Sequence, residues 1–259
     1  MPLLTSSSWD DLYTREITNH TLDPTDEGTI WFDDSSAEDK VISFLENEIL
    51  NPSFLSAEIT KDNASFLDLG TGNGHLLFRL REGEEIDSDD EEEDENSDKT
   101  KGWGGRMVGV DYSAKSIDFA QKIAADRGFG PSDGAKHIEF LHHDLMSSSP
   151  SPILTPPTSS GYDIVLDKGT FDAISLSQET DPMSGRRICE LYKEKVVPLI
   201  REGGILLITS CNWTEEELGN WFEGGAGQLE RWKAIEYRSF SFGGKKGQSV
   251  SSVCFRRVR

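Results

Sequence analysis

Hydrophobic residues along this chain fall into two patterns, short apolar runs and stretches in which they recur every three to four positions. Phe66, Leu67 and Leu69 make a run that predicts a buried strand, and Leu76, Leu77, Phe78 and Leu80 then resume at helical spacing. Residues 113–129 predict the next helix, with Ser113 as its N-cap and Ile117, Ala120 and Ala124 on one face. Apolar runs at 107–111, 138–141, 162–166 and 205–209 predict further strands, the last fully buried. Residues 186–200 read as a long helix stopped by Gly203 and Gly204, and Thr214 with Glu217 opens another as a capping box. Residues 232–242 and 248–258 alternate around a glycine- and lysine-rich turn at 243–247, which predicts an antiparallel hairpin. Ahead of the first strand, Trp9, Leu12, Tyr13 and Glu16 fit one short helix, and Val41, Ile42, Leu45 and Ile49 mark a second across 39–50. Together these elements predict an α/β, Rossmann-like fold. Its seven-stranded sheet is mostly parallel, with helices on both faces and a C-terminal antiparallel hairpin.

Between the first strand and its helix stands Asp68-x-Gly70-x-Gly72-x-Gly74. Strand, glycine turn and helix open a nucleotide-binding unit, and glycines let the chain adopt unusual backbone angles and let a ligand approach the main chain. A dinucleotide fingerprint needs a glycine where His75 stands, so the turn is of another kind. In such units an acid closes the second strand about 20 residues after the turn. Here that acid is Asp111, 37 residues after Gly74, and removing one acidic run restores the ordinary spacing.

Charge changes the picture of that run and of the partners. Of the net charge of −21 over 259 residues, residues 82–98 supply twelve acids and no Lys or Arg, leaving −9 on the rest. Residues 82–105 are therefore expected to be a disordered insert that leaves the domain intact, either a solvated spacer or an attractor of a basic partner. So acidic a chain is a poor binder of phosphate backbones, which argues against direct nucleic-acid recognition. Residues 147–160 are Ser/Pro-rich and read as a linker whose Ser-Pro and Thr-Pro pairs are open to phosphorylation. Cys189, Cys211 and Cys254 form no C-x-x-C pair, and His142 and His143 point to opposite faces of a strand, so no disulfide framework or metal site is expected. With no signal peptide and no long apolar span, the expected location is the cytoplasm, with the nucleus also open.

The Asp-x-Gly-x-Gly-x-Gly turn resembles motif I of the class I, seven-β-strand S-adenosylmethionine methyltransferases. Their ligand carries a charged methionyl amine and no pyrophosphate, so an acid at the turn makes electrostatic sense. Over nearly the whole chain outside the two inserts, the segments WDDLYTREITN, EGTIWF, FLDLGTGNG, DKGTFDAI, ITSCNWT and FSFGG are similar to the lysine methyltransferases of translation elongation factor 1-alpha. One departure is Asp33, where that family commonly has Gly after Trp-Phe. The resemblance implies S-adenosylmethionine as cofactor, a protein substrate, and a monomer. Gly70, Gly72 and Gly74 would lie against the methionyl part, with Asp68 near its amine. Asp111 would hold the ribose, Tyr112 and Leu145 would sandwich adenine, and Asp144 would accept its amino group. Asp167 is the expected orienting and proton-accepting group, with turn capping as its alternative. Phe171 and Trp213, with Trp31 and Phe32, are the expected aromatic wall that desolvates an acceptor lysine. Residues 1–50 are expected to form a helical extension or lid, and 51–259 the catalytic domain. Two other readings stay open, a small-molecule methyltransferase of the same fold and a non-catalytic cofactor-binding partner of the translation machinery.

Overall fold

A computed structural model of the chain describes residues 6–83, 101–225, 229–242 and 245–258. Two helices, α1 (Ser6–Leu22) and α2 (Ala37–Glu48), precede β1 (Phe66–Leu69). There follow α3 (His75–Glu82), β2 (Met107–Asp111), α4 (Ala114–Asp126), β3 (Ile138–His142), β4 (Tyr162–Lys168) and α5 (Thr170–Leu176). The chain continues through α6 (Ile188–Val196), β5 (Ile200–Ser210), α7 (Glu215–Phe222), β6 (Leu229–Ile235), β7 (Ser239–Phe242), β8 (Lys245–Gln248) and β9 (Ser251–Arg257). Seven strands form one sheet in the order β3-β2-β1-β4-β5-β9-β6, with β9 antiparallel to both neighbours. β1 pairs in parallel with β2 on one side and β4 on the other, so the strand order reverses there. That reversal opens the crevice where such sheets take ligands.

Side chains alternate between two cores. Phe66 packs on one face with Tyr13, Leu45, Leu77, Phe78 and Phe119, beneath α1 to α4. Leu67 and Leu69 pack on the other with Val165, Tyr192, Phe222 and Phe255, beneath α5 to α7. β1 is buried along its whole length.

Four expectations need correction. The helix after residue 186 is short: α6 runs only over Ile188–Val196 and passes into a 3-10 turn, Val197–Leu199, holding Pro198. Proline ends it because its ring blocks the next turn. Gly203 and Gly204 instead lie inside β5, where they carry a register shift against β4; Gly203 has φ +77, and a Cβ on Gly204 would sit 2.8 Å from the Tyr162 carbonyl. The C-terminal hairpin is broken in two. β6 pairs with β9 in the sheet, and β7 pairs with β8 in a separate ribbon. The break falls where β5 ends, since Ser210 opposite Ser251 is its last pair and, among the described residues, no third strand supports the chain beyond.

The acidic insert is narrower than 82–105. Residues 84–100 lie outside the described residues, but Trp103 is 1% exposed and packs edge-on against Phe66. The Ser/Pro-rich stretch is packed down rather than a free linker: Ile153 is fully buried, and its carbonyl accepts from the Tyr162 hydroxyl at 2.7 Å. Arg106 donates to the Thr155 carbonyl and to the Thr158 hydroxyl, both at 2.9 Å.

Candidate active site

The glycine turn leaves β1 on the crevice. Gly70, Gly72 and Gly74 all have positive φ, at +67, +59 and +84, a conformation that side chains strain to adopt. A Cβ on Gly70 would sit 2.0 Å from the Thr170 hydroxyl, which donates to the Leu69 carbonyl at 2.6 Å. Gly70 is exposed and Gly72 half-buried, so their main chain is open to a ligand. Beneath the turn Asp68 is 3% exposed, and burial pushes its carboxyl up to about 7 against the pull of Thr71 and Lys168. A cationic ligand group recovers that penalty by favouring the ionised form.

Asp111 ends β2 beside the turn. One carboxylate oxygen accepts from the Gly72 amide at 3.1 Å and the other from the Ser113 amide at 2.9 Å. Burial raises its pKa while these bonds oppose the shift. Each oxygen keeps a lone pair for a further donor. Tyr112 is 39% exposed on the next residue. Beyond β3, Asp144 accepts from the Met146 amide at 2.9 Å and the Ser147 hydroxyl at 2.5 Å, with Leu145 half-buried beside it. The fold thus gathers every expected cofactor residue on the carboxyl ends of β1, β2 and β3.

The expected catalytic group is not gathered there. Asp167 is opposite Leu69 in the β1–β4 register, so it shares the face of Leu69 and not that of Asp68. It is 1% exposed and fully engaged. It accepts from the Thr170 amide at 2.9 Å, the Phe171 amide at 3.1 Å and the Tyr192 hydroxyl at 2.5 Å. Burial pushes its carboxyl up to about 7, with the Tyr192 and Phe171 bonds opposing. Asp167 therefore holds the first amides of α5 and anchors the loop, which is the geometry of the turn-capping alternative.

The aromatic wall divides in the same way. Phe171 is fully buried among Tyr192, Trp213, Trp221 and Phe222, with ring centroids 5.0–6.0 Å away. Trp213 is half-buried and donates from Nε1 to the Ser175 hydroxyl at 3.0 Å. Phe171 belongs to the core beneath α5 to α7 and does not line a wall, while Trp213 packs against that core with part of its surface open. Sequence reading passed over Asp172, which ties this region together. Its oxygens accept from the Ser210 hydroxyl at 2.5 Å and the Cys211 amide at 2.8 Å, and so buckle DKGTFDAI to SCNWT.

Trp31 and Phe32 do stand on the cofactor face. Both are half-buried, Trp31 packs on Trp9 at 5.2 Å, and the Phe32 ring would lie 3.3 Å from a Cβ on Gly169. Asp33 begins a 3-10 turn, and the left-handed residue is Phe32 with φ 65, so glycine is not required at 33. Tyr13, 6% exposed, lies over Gly72 from α1. Lys168, one residue past Asp167, turns toward Glu38 and Asp68. Its place follows from counting strand parity from Asp68 once the register is known.

Residues 60–244 match a family model described as a methyltransferase domain. Budding yeast "Protein-lysine N-methyltransferase EFM4" is 38% identical across 97% of this chain and 93% of its own length. The chain belongs to this methyltransferase family. The human "EEF1A lysine methyltransferase 2" is 30% identical over 98% of the chain and 86% of the human protein. Magnesium protoporphyrin IX methyltransferase from Synechocystis PCC 6803, solved with bound SAM, shares the fold at a TM-score of 0.52. It is 13% identical over 97% of this chain and 96% of that one. The glycine cradle, the buried Asp68 and the free lone pairs of Asp111 fit the S-adenosylmethionine that this neighbour holds.

Proposed function

We propose that this methyltransferase modifies a lysine side chain of translation elongation factor 1-alpha in the cytoplasm. The reading is carried by near-full-length similarity to the yeast protein-lysine N-methyltransferase and to the human EEF1A lysine methyltransferase 2, over 97% and 98% of the chain. When bound, the cofactor supplies an electrophilic sulfonium methyl. A lysine has an ordinary pKa of ~10.4, so presenting its neutral amine at pH 7 costs roughly 4–5 kcal/mol. The half-buried rings of Trp31 and Phe32, next to Gly169, lower that cost by excluding water from the incoming amine. Asp68, Asp111 and the glycine main chain hold the cofactor on the neighbouring strand ends. A net charge of −21 draws a basic acceptor toward the enzyme.

The test is transfer from radiolabelled cofactor to elongation factor 1-alpha purified from cells lacking this enzyme. Label on one lysine of that protein is the expected result. Label confined to small molecules would favour the other enzyme reading, and no label with intact cofactor binding would favour a silent binding partner.

A further inference from the structure

Lys168 sits at the carboxyl end of β4, one step beyond the Leu69–Asp167 pair and therefore beside Gly70. Strand alternation turns it to the face of Asp68, away from Asp167. Its ammonium is 3.3 Å from a Glu38 carboxylate oxygen and 3.3 Å from the Trp31 carbonyl, and its side chain is 15% exposed. Glu38 is itself held, because its other oxygen meets Nδ1 of His75, the first residue of α3, at 2.6 Å. Burial pushes the Glu38 carboxyl up, but His75 and Lys168 bring it below the ordinary range, so it stays ionised opposite the lysine. An ammonium has three N–H donors; Glu38 and the Trp31 carbonyl take two, the Phe32 ring centroid lies 6.0 Å from the nitrogen, and one donor is left for a ligand.

The floor of the crevice thus presents a carboxylate and an ammonium on adjacent strands of one face. The methionyl tail of the cofactor carries the complementary pair, an ammonium and a carboxylate on one carbon. We propose that Lys168 receives the methionyl carboxylate, so that with Asp68, the acid already expected at the methionyl ammonium, it completes a pair that reads the zwitterion. Glu38 keeps Lys168 aimed along the crevice and keeps a buried cation from standing uncompensated before the ligand arrives. The proposal rests on the methyl-transfer reading through its cofactor alone, so it is tested by binding, without any acceptor protein.

Calorimetry would compare S-adenosylmethionine with decarboxylated S-adenosylmethionine, which keeps the amine and sulfonium and lacks only the carboxylate. The wild-type protein should prefer the carboxylate-bearing ligand by about tenfold or more, the scale of one charge-assisted hydrogen bond. Lys168→Met should weaken S-adenosylmethionine by about 10- to 100-fold and leave the decarboxylated ligand within about threefold. Lys168→Arg should restore most of the preference. Equal loss of both ligands in Lys168→Met would mean a structural role only and would overturn the proposal. So would equal affinities of the wild-type protein for the two ligands, a result that depends on no variant folding.

Discussion

Two buried carboxyls of this protein stand on paired strands but on opposite faces of the sheet, and do different work. Asp167 accepts from two amides and the Tyr192 hydroxyl. Asp167→Ala leaves those donors unpaired in the core, at about 3 kcal/mol and roughly 6–12 °C in Tm. Cofactor binding and methyl transfer should fall together with the folded fraction. A stable variant that binds cofactor normally yet transfers at under a hundredth of the rate would return Asp167 to the reaction. Asp68 instead faces the crevice with its carboxyl raised to about 7. Below that value the carboxyl is neutral and must lose a proton before it pairs with a cationic amine. Affinity for S-adenosylhomocysteine should therefore rise by up to about tenfold per pH unit approaching 7, and level off above it. Calorimetry in buffers of different ionisation heat reads the released proton, and a flat profile would take Asp68 out of contact with the amine. Stability has its own sign. With both folded pKa values raised, these two groups favour the fold at low pH, and that contribution is lost as pH rises through about 7.

At the scale of elements, α1 lies across the cofactor side of the sheet. The Ser113 hydroxyl, which caps α4, donates to Asp10 at 2.6 Å, and Tyr13 lies over Gly72. Farther along α1, His20 meets Asp126 at 3.1 Å, and Glu16 accepts from the Thr29 amide at 3.0 Å. Removing residues 1–22 takes away the cover over the glycine turn but no strand. Cofactor affinity should drop by about tenfold or more, about 1.4 kcal/mol, while the sheet persists by circular dichroism. Unchanged affinity would make α1 mere packing. The same scale shows where hydrophobic pattern was sufficient and where it was not. The β1 turn and the Ser113 and Thr214 caps stand where spacing puts them, because each depends on residues within one turn of chain. The end of α6 departs from the pattern because two breakers compete within six residues, and Pro198 acts before the glycines.

For the whole molecule, the acidic run tests how far the fold tolerates insertion. The Trp103 amide donates to the Leu80 carbonyl at 2.8 Å, and Arg81 donates to the Gly105 carbonyl at 2.8 Å, so the chain leaves and rejoins the fold at one place. Loop closure depends only weakly on length. Replacing residues 84–100 by a short Gly/Ser link should keep Tm within about 2 °C, since the flanking contacts remain. A fall of ten degrees or more, about 3 kcal/mol or beyond, would show the run to be structural. Acceptor binding at low salt should weaken in the same variant if the run attracts a basic partner, because eleven acids are removed with it.

The sequence by itself determined the class of fold, the glycine turn and the acids that flank it. Those features are local: a strand run, a turn that only glycine fits, and an acid one strand further on. It did not determine which side chain of Asp167 and Lys168 faces the crevice. β4 is buried on both faces from Tyr162 to Asp167, so its apolar pattern has no alternation from which to read direction. Only the pairing of Asp167 with Leu69 fixes that parity, and with it the partition of Phe171 and Trp213 into the far core and of Trp31, Phe32 and Lys168 onto the cofactor side. Register is a relation between segments distant in the chain, set when the strands pack, and one step along it moves a side chain through the sheet.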